Sequence, residues 1–532
     1  MLRSRSNPQA AGLVAVAALL TVLSAGQANA QSVEVYTDST AQTIRGFGAA
    51  FIEFWQPDLT ADQVQNAFGM GDGELGLSIL RLGINPNPSQ WSENLEAAQK
   101  AVELGAIVFA SPWNAPSNLL KAKINPNDPD TVDVAKFDQY AQHLSDFNTY
   151  MASNGVDLYA ISIQNEPDYG HDWTGWSSEN MVKFLAENAP SIGAARVIAP
   201  ESFQFRRDYT DPIFSDSAAT ANTDIIGGHI YGGGNADYPL ARENGKDVWM
   251  TEYLLNLNTG GGSKAWDEYT DDERWAETLE MLRTIHTSMK GNMNAYVWWY
   301  LKRYYGILGD GLFRESNGVP TQRGYAFSHF SRFVRPGYVR LETDGPFGRG
   351  FTLIYVTAYQ NPQTNDIVIV AVNDETADKE IPISVSHLKS ALFKRYLSTA
   401  NQAVVELDEV AVTDSSFTVT LPKQSVTTFV SNQIDLASEG PADDTPGYRL
   451  DQNYPNPFGG VTKIGYVLPR SGDVRITIHD VLGREVAVLE DAVRNPGYHE
   501  VSWDATTLPS GVYLYTLSAG AYSDSRTMIV VN

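Results

Sequence analysis

Eight short apolar runs recur between residues 43 and 303, and most are apolar on successive residues instead of alternating. They are TIRGFGA from residue 43, LSILRLGI from 77, AIVFASPW from 106, YAISIQNEP from 159, RVIAPES from 196, DIIGGHIY from 224, DVWMTEY from 247 and AYVWWYLKR from 295. A strand that is apolar on both faces has both faces covered, which is the condition of a parallel sheet. Helical patterns fill several of the intervals. VAKFDQYAQHLSDFNTYMASNG spaces its apolar residues three and four apart and stops at Gly155, and the run after Thr270 opens with Thr270 and Glu273 at capping-box spacing. Eight strands alternating with helices predict a (β/α)8 barrel over 43–340, with a doubly wound open sheet as the competing arrangement.

The pattern changes on either side. After about residue 340, FTLIYVTAYQ, DIVIVAVN, FTVTLP and SVTTFV are short β runs without long helices between them, which predicts a side β-sandwich over 341–435. The strand VEVYTD within 31–42 is expected to join it. Residues 436–447 read as a polar linker, and 448–532 as a further all-β unit with an Ig-like sandwich architecture. At the other end, Arg3 and Arg5 precede an apolar stretch that leads to ANA at 28–30, the pattern of a secretory signal peptide over 1–30. No later window has the ~20 apolar residues of a spanning helix, so the mature chain is expected to be exported without a membrane span.

A net charge of -25 argues against nucleic acid as the main partner, since phosphate binding needs a positive face. There is no cysteine, so disulfides and thiolate chemistry are excluded. GDGELG at 71–76 precedes a strand instead of linking a strand to a helix, which fails the context of a dinucleotide loop. The eight histidines show no ligand spacing, and neither a metal nor a cofactor is expected.

What remains is a pair of carboxylates. In a (β/α)8 barrel the loops leaving the C-terminal ends of the strands converge, and reacting groups collect there. Glu166 closes the fourth run and Glu252 the seventh, so the two can face each other across the barrel mouth, as glycoside hydrolysis requires. Pro167 is expected to hold Glu166 in the extended region. Alone, Asn-Glu-Pro also suits a surface carboxylate capping a helix. The aromatics at the other strand ends favour the catalytic reading: Trp113, Trp173, Trp176, Tyr231, Trp299 and Tyr300 could pave a carbohydrate cleft, because sugar C–H faces lie on aromatic rings. Trp298 reads as core.

ISIQNEPDY and VWMTEY resemble the acid/base and nucleophile motifs of glycoside hydrolase family 30, and GFGAAF, SPWNAPSNL, APESFQ, GGHIYGG and HFSRFVRPGYVR resemble that family's motifs in order. The resemblance covers about residues 33–435. It implies a barrel with a side β-sandwich, Glu166 as general acid/base and Glu252 as nucleophile. Asn165 would contact the sugar hydroxyl beside the reacting carbon, and Tyr231 would orient Glu252.

AYVWWYLKRYYG resembles the bacterial glucuronoxylanase branch, which implies a retaining endo-β-1,4-xylanase whose Arg303 and Tyr305 hold the glucuronate branch of glucuronoxylan. A guanidinium fork suits a carboxylate. The segment after Glu252, LLNLNTGGGSKAWDEY, has no clear counterpart of the tyrosine and serine that would assist. Two other readings stay open: the same chemistry on a β-1,6-glucan or at a xylan end, and a surface carbohydrate-binding protein without catalysis. Finally, YRLDQNYPNPF, VRITIHDVLGREVAVL and LPSGVYLYTL resemble the type IX secretion sorting domain, which implies secretion machinery as a partner; a carbohydrate-binding module is the alternative.

Overall fold

Each of the eight apolar runs forms a strand in the computed structural model, which describes residues 32–531 apart from 53–54, 126, 171, 256–265, 346–352, 414, 437–448, 451–452, 454–455, 469, 482, 496, 507 and 521. The expected signal peptide at 1–30 and nearly all of the expected linker at 436–447 therefore lie outside the described residues.

After an initial strand β1 (Val33–Thr43), the barrel strands are β2 (Gly46–Ala50), β3 (Ile79–Ile84), β4 (Ile107–Pro112), β5 (Ala160–Ser162), β6 (Arg196–Ser202), β7 (Ile225–His229), β8 (Asp247–Tyr253) and β9 (Ala295–Trp298). They pair in sequence order, all parallel, and β2 closes on β9 with Gly46 opposite Ala295. The open-sheet alternative is thereby excluded. Among the helices outside them, Phe137–Ser153 ends just before Gly155, whose φ of 79° lies in the left-handed region that glycine enters without cost. Helix Asp271–Lys290 starts from the expected reciprocal cap between Thr270 and Glu273.

The barrel interior explains where the site must be. Ile79, Phe109, Ala160, Ile198, Ile225, Trp249, Ala295 and Val297 form one buried cluster. Side chains alternate along a strand, so the next inward positions are Arg81, Ser111, Ser162, Gly227 and Thr251, followed by His229. The lumen thus turns from apolar to polar toward the C-terminal ends of the strands, and charge is concentrated at one mouth.

The side domain contains β1 with β10 (Val339–Asp344), β11 (Ile354–Gln360), β12 (Ile367–Asn373), β13 (Lys379–Val385), β14 (Leu388–Thr399), β15 (Gln402–Thr413), β16 (Ser416–Leu421) and β17 (Ser425–Leu436). Their order is β1-β10-β11-β12-β17-β14-β15-β16-β13, and β13 returns to β1 through a parallel pairing, so this sheet also curls back on itself. Buried helix Gln322–Ser331 joins it to the barrel; His329 bonds the hydroxyls of Thr428 at 2.7 Å and Ser398 at 2.8 Å.

The second unit, 437–532, carries β18 (Arg449–Leu450), β19 (Val461–Leu468), β20 (Gly472–Asp480), β21 (Glu485–Arg494), β22 (Gly497–Asp504), β23 (Gly511–Ala519) and β24 (Tyr522–Val530). They form a three-stranded sheet, β18-β19-β22, and a four-stranded sheet, β21-β20-β23-β24, around a core that includes Ile464, Ile476, Trp503, Tyr515 and Met528. Among the described residues no helix is long and apolar enough to cross a membrane.

Candidate active site

Glu252 lies within β8, and Glu166 four residues beyond the end of β5; each is only 6% exposed. Oxygens of the two carboxylates and a ring nitrogen of His229 all lie within 4.8 Å of one another. One expectation about Glu166 is corrected. Its φ is 45°, in the left-handed region and not the extended one, although Pro167 follows it. The conformation is held from both sides: the Glu166 amide donates to the Glu201 carbonyl at 3.1 Å, and its own carbonyl accepts from Tyr169 at 2.9 Å. Tertiary bonds outweigh the local preference of a residue before proline.

The carboxylates have different partners. Glu252 accepts from the Tyr231 hydroxyl at 2.8 Å on Oε1 and from Arg81 at 2.5 Å on Oε2. Glu166 Oε2 accepts from the Trp173 indole at 3.1 Å, and Oε1 meets His229 Nδ1 at 2.8 Å. Arg81, with no exposed surface, also bonds Asn165 Oδ1 at 2.6 Å and pairs with the fully buried Glu201 at 2.9 Å, and it lies 4.7 Å over the Trp113 ring. Two glycines on β7 permit this crowding: a Cβ on Gly227 would stand 2.4 Å from Ile198, and one on Gly228 2.6 Å from the Phe205 ring.

The charges act on one another. Burial would weaken Arg81 as a base, but Glu201 and Glu252 more than offset it and keep the guanidinium charged. Burial likewise opposes charge on His229, yet Glu252, Glu166 and Glu201 raise its pKa to about 9. Burial pushes Glu201 up, and Arg81, with His229 and Ser162, overcomes this and brings it to about 2. Glu252 is pushed up, first by burial and also by Glu166, against the pull of His229 and Arg81. Burial, Glu252 and Glu166 raise Tyr231, so its hydroxyl stays a donor. Glu166, His229 and Glu252 could converge on a cation by distance, but the Arg81 guanidinium already supplies the positive charge beside Glu252.

Above the pair lies a cleft of about 400 Å³ walled by Trp55, Trp113, Trp173, Phe203, Tyr231, Leu254, Trp299 and Tyr300, with Arg303 at its edge. Trp55 packs with ring centroids 5.4 Å from Trp113, 5.8 Å from Trp173 and 5.7 Å from Trp299. Of the residues expected here, the structure brings Glu166, Glu252, Trp113, Tyr231, Trp299, Tyr300 and Arg303 to the cleft. Asn165 sits beneath them. The Tyr300 hydroxyl is engaged, donating to the Ile52 carbonyl at 2.6 Å and accepting from its amide at 2.8 Å, so this ring shapes the wall.

Trp176 is a correction. It packs against Phe137, Tyr140 and Phe184 in the core, because the strand-end loop turns between Trp173 and Trp176. Tyr305 is not on the cleft wall; it lines a smaller cavity with Trp266, Arg274 and Arg323. The part of the post-nucleophile segment at 256–265 lies outside the described residues. Sequence reasoning passed over Trp55, Arg81, Glu201, Phe203 and His229. An arginine inside an otherwise apolar run, LRLGI, is the signal that could have revealed Arg81.

Parallel barrel, side β-domain and paired carboxylates beneath an aromatic cleft define a barrel glycoside hydrolase. The chain is 42% identical over 414 residues to glucuronoxylanase XynC of Bacillus subtilis, covering 76% of this chain and 92% of that protein. Its structure is similar to a GH30 endoxylanase from Clostridium papyrosolvens (37% identity, TM-score 0.66, 75% of this chain and 100% of that one). It is similar also to the family 30 subfamily 8 xylanase Xyn30A of Clostridium acetobutylicum (30% identity, TM-score 0.66, 75% and 99%). Residues 452–531 match the secretion system C-terminal sorting domain. The chain belongs to glycoside hydrolase family 30, on its glucuronoxylanase branch, and ends in a sorting domain.

Proposed function

We propose that the protein is a retaining endo-β-1,4-xylanase that recognises the glucuronate branches of glucuronoxylan. The observation that carries the chemistry is the approach of the two carboxylates to within 4.8 Å, each with its own partners. Retaining glycosidases hold their carboxyl groups ~5–5.5 Å apart, whereas inverting ones leave ~6.5–9.5 Å for a water molecule.

Glu252 is the nucleophile. Tyr231 and Arg81 both donate to it, which aims the carboxylate and favours its ionised form. Glu166 protonates the departing glycosidic oxygen while Glu252 bonds to the anomeric carbon. Glu166 then takes a proton from the water that breaks the glycosyl ester. Among the described residues the Asn165 amide nitrogen has no hydrogen-bond partner, which suits it to the hydroxyl beside the anomeric carbon.

Substrate recognition rests on Trp55, Trp113, Trp173 and Trp299 as stacking surfaces and on Arg303 for the branch. Among the described residues no carboxylate forms an ion pair with Arg303, so its charge is available in a protein of net charge -25. Arg303 shares a side-chain hydrogen bond with the Tyr305 hydroxyl, which steadies the guanidinium. An N-terminal signal peptide and the sorting domain together fit export, with release or attachment at the cell surface. The test is the mass distribution of fragments from methylglucuronoxylan: cuts at a fixed offset from every branch support both reaction and recognition. Fragments unrelated to branch position would reject the branch-directed reading.

A further inference from the structure

We propose that Glu201 is a positioning residue of this site: its buried carboxylate balances Arg81 and His229, so that one guanidinium aims Glu252 and one imidazolium donates to Glu166. The inference rests on the retaining reading above and adds to it a residue that meets no substrate.

The geometry carries the argument. Glu201 stands at the C-terminal end of β6 with no exposed surface and a φ of 61°, a conformation that costs an ordinary residue free energy and persists only when surroundings impose it. It reaches both catalytic carboxylates by separate routes. Its carbonyl accepts from the Glu166 amide at 3.1 Å and fixes the backbone of the acid/base. Its carboxylate lies 2.9 Å from Arg81 Nη2, while Nη1 of that guanidinium bonds Glu252.

The polar and charged groups facing this centre come from four other strands of the barrel and the loops that leave them. Arg81 is on β3, Ser162 on β5, Glu166 just past β5, His229 on β7, Tyr231 just past it and Glu252 on β8. His229 is the shared member: Nδ1 is 2.8 Å from Glu166 and 3.9 Å from Glu252, and Nε2 is 3.9 Å from Glu201. Three buried carboxylates therefore surround two buried cations. With one proton on the acid/base the charges balance, as the first step of the reaction requires. Without Glu201 the two cations face each other with one less counter-charge, and an uncompensated buried charge is strongly disfavoured.

The experiment compares wild type, Glu201→Gln and Glu201→Asp in the full-length protein, with folding checked by circular dichroism. Glu201→Gln keeps the volume and removes the charge. Expected are a His229 ring titration, followed by NMR, that falls by ~1 to 3 pH units, an alkaline limb of the kcat/KM profile displaced to lower pH, and a KM changed less than twofold. Glu201→Asp, which keeps the charge, should retain the wild-type limb with a lower kcat. Coincident normalised profiles and an unmoved His229 titration in Glu201→Gln would overturn the inference. Should Glu201→Gln not fold, wild-type His229 decides: titration near its ordinary 6.5 contradicts the charge balance. The His229 readout does not depend on which carboxylate is the nucleophile, so its failure is distinguishable from failure of the retaining mechanism.

Discussion

Tyr231 donates its hydroxyl to Glu252 Oε1 at 2.8 Å, while the same ring stacks at 5.1 Å on Phe203 in the cleft wall. The ring packing fixes the phenol, and the phenol fixes the carboxylate. Tyr231→Phe keeps the packing and removes one donor. A hydrogen bond to a charged group contributes about 1.5–3 kcal/mol, so kcat should fall about 10- to 100-fold with little change in melting temperature. Steady-state kinetics with a thermal melt checks this.

On the proposed function, Arg303 should separate recognition from chemistry. Arg303→Ala should lower kcat/KM on glucuronoxylan about 10- to 100-fold, the worth of one charge-assisted contact, and leave cleavage of unbranched xylan unchanged. Arg303→Lys should restore only part of the loss, because an ammonium is a point charge without the planar fork. Equal losses on both polymers would remove the assigned role.

Two tryptophans three residues apart should behave differently. Trp176 is 5% exposed among Phe137, Tyr140 and Phe184, and Trp176→Ala should destabilise the protein by about 3–5 kcal/mol, read by chemical denaturation. Trp173→Phe removes the indole donor to Glu166 and should lower kcat with stability nearly intact.

That contrast shows how far the sequence could be read. Runs apolar on successive residues identified all eight barrel strands, because burial on both faces leaves an unambiguous mark. That Glu166 and Glu252 meet at one mouth was legible because the strand ends converge. Trp173 and Trp176 were not separable, since the bend of a loop decides which ring meets the cleft. Arg81, Glu201 and His229 were hidden for a related reason: they lie within or at the ends of strands whose neighbours look like core, and only the closed barrel shows that those positions share one interior. The backbone of Glu166 followed its bonds to Glu201 and Tyr169 instead of the preference set by Pro167.

Acid should loosen the junction between barrel and side domain. His329 bonds Thr428 and Ser398, and His286 bonds Thr357 at 3.0 Å; burial holds both rings down to about 3. A histidine whose folded pKa is depressed contributes stability that is intact above its ordinary 6.5 and lost as pH falls toward the folded value. Each ring should therefore remove up to about 1.4 kcal/mol per pH unit below that point. Urea denaturation at pH 7 and pH 5 measures the slope, and His329→Gln should reduce it.

The double-displacement claim is tested most directly by NMR of the sugar anomer released in the first minutes of glucuronoxylan cleavage, before mutarotation. The account predicts a β-configured reducing end, formed by two inversions through Glu252. An α-configured first product would contradict it.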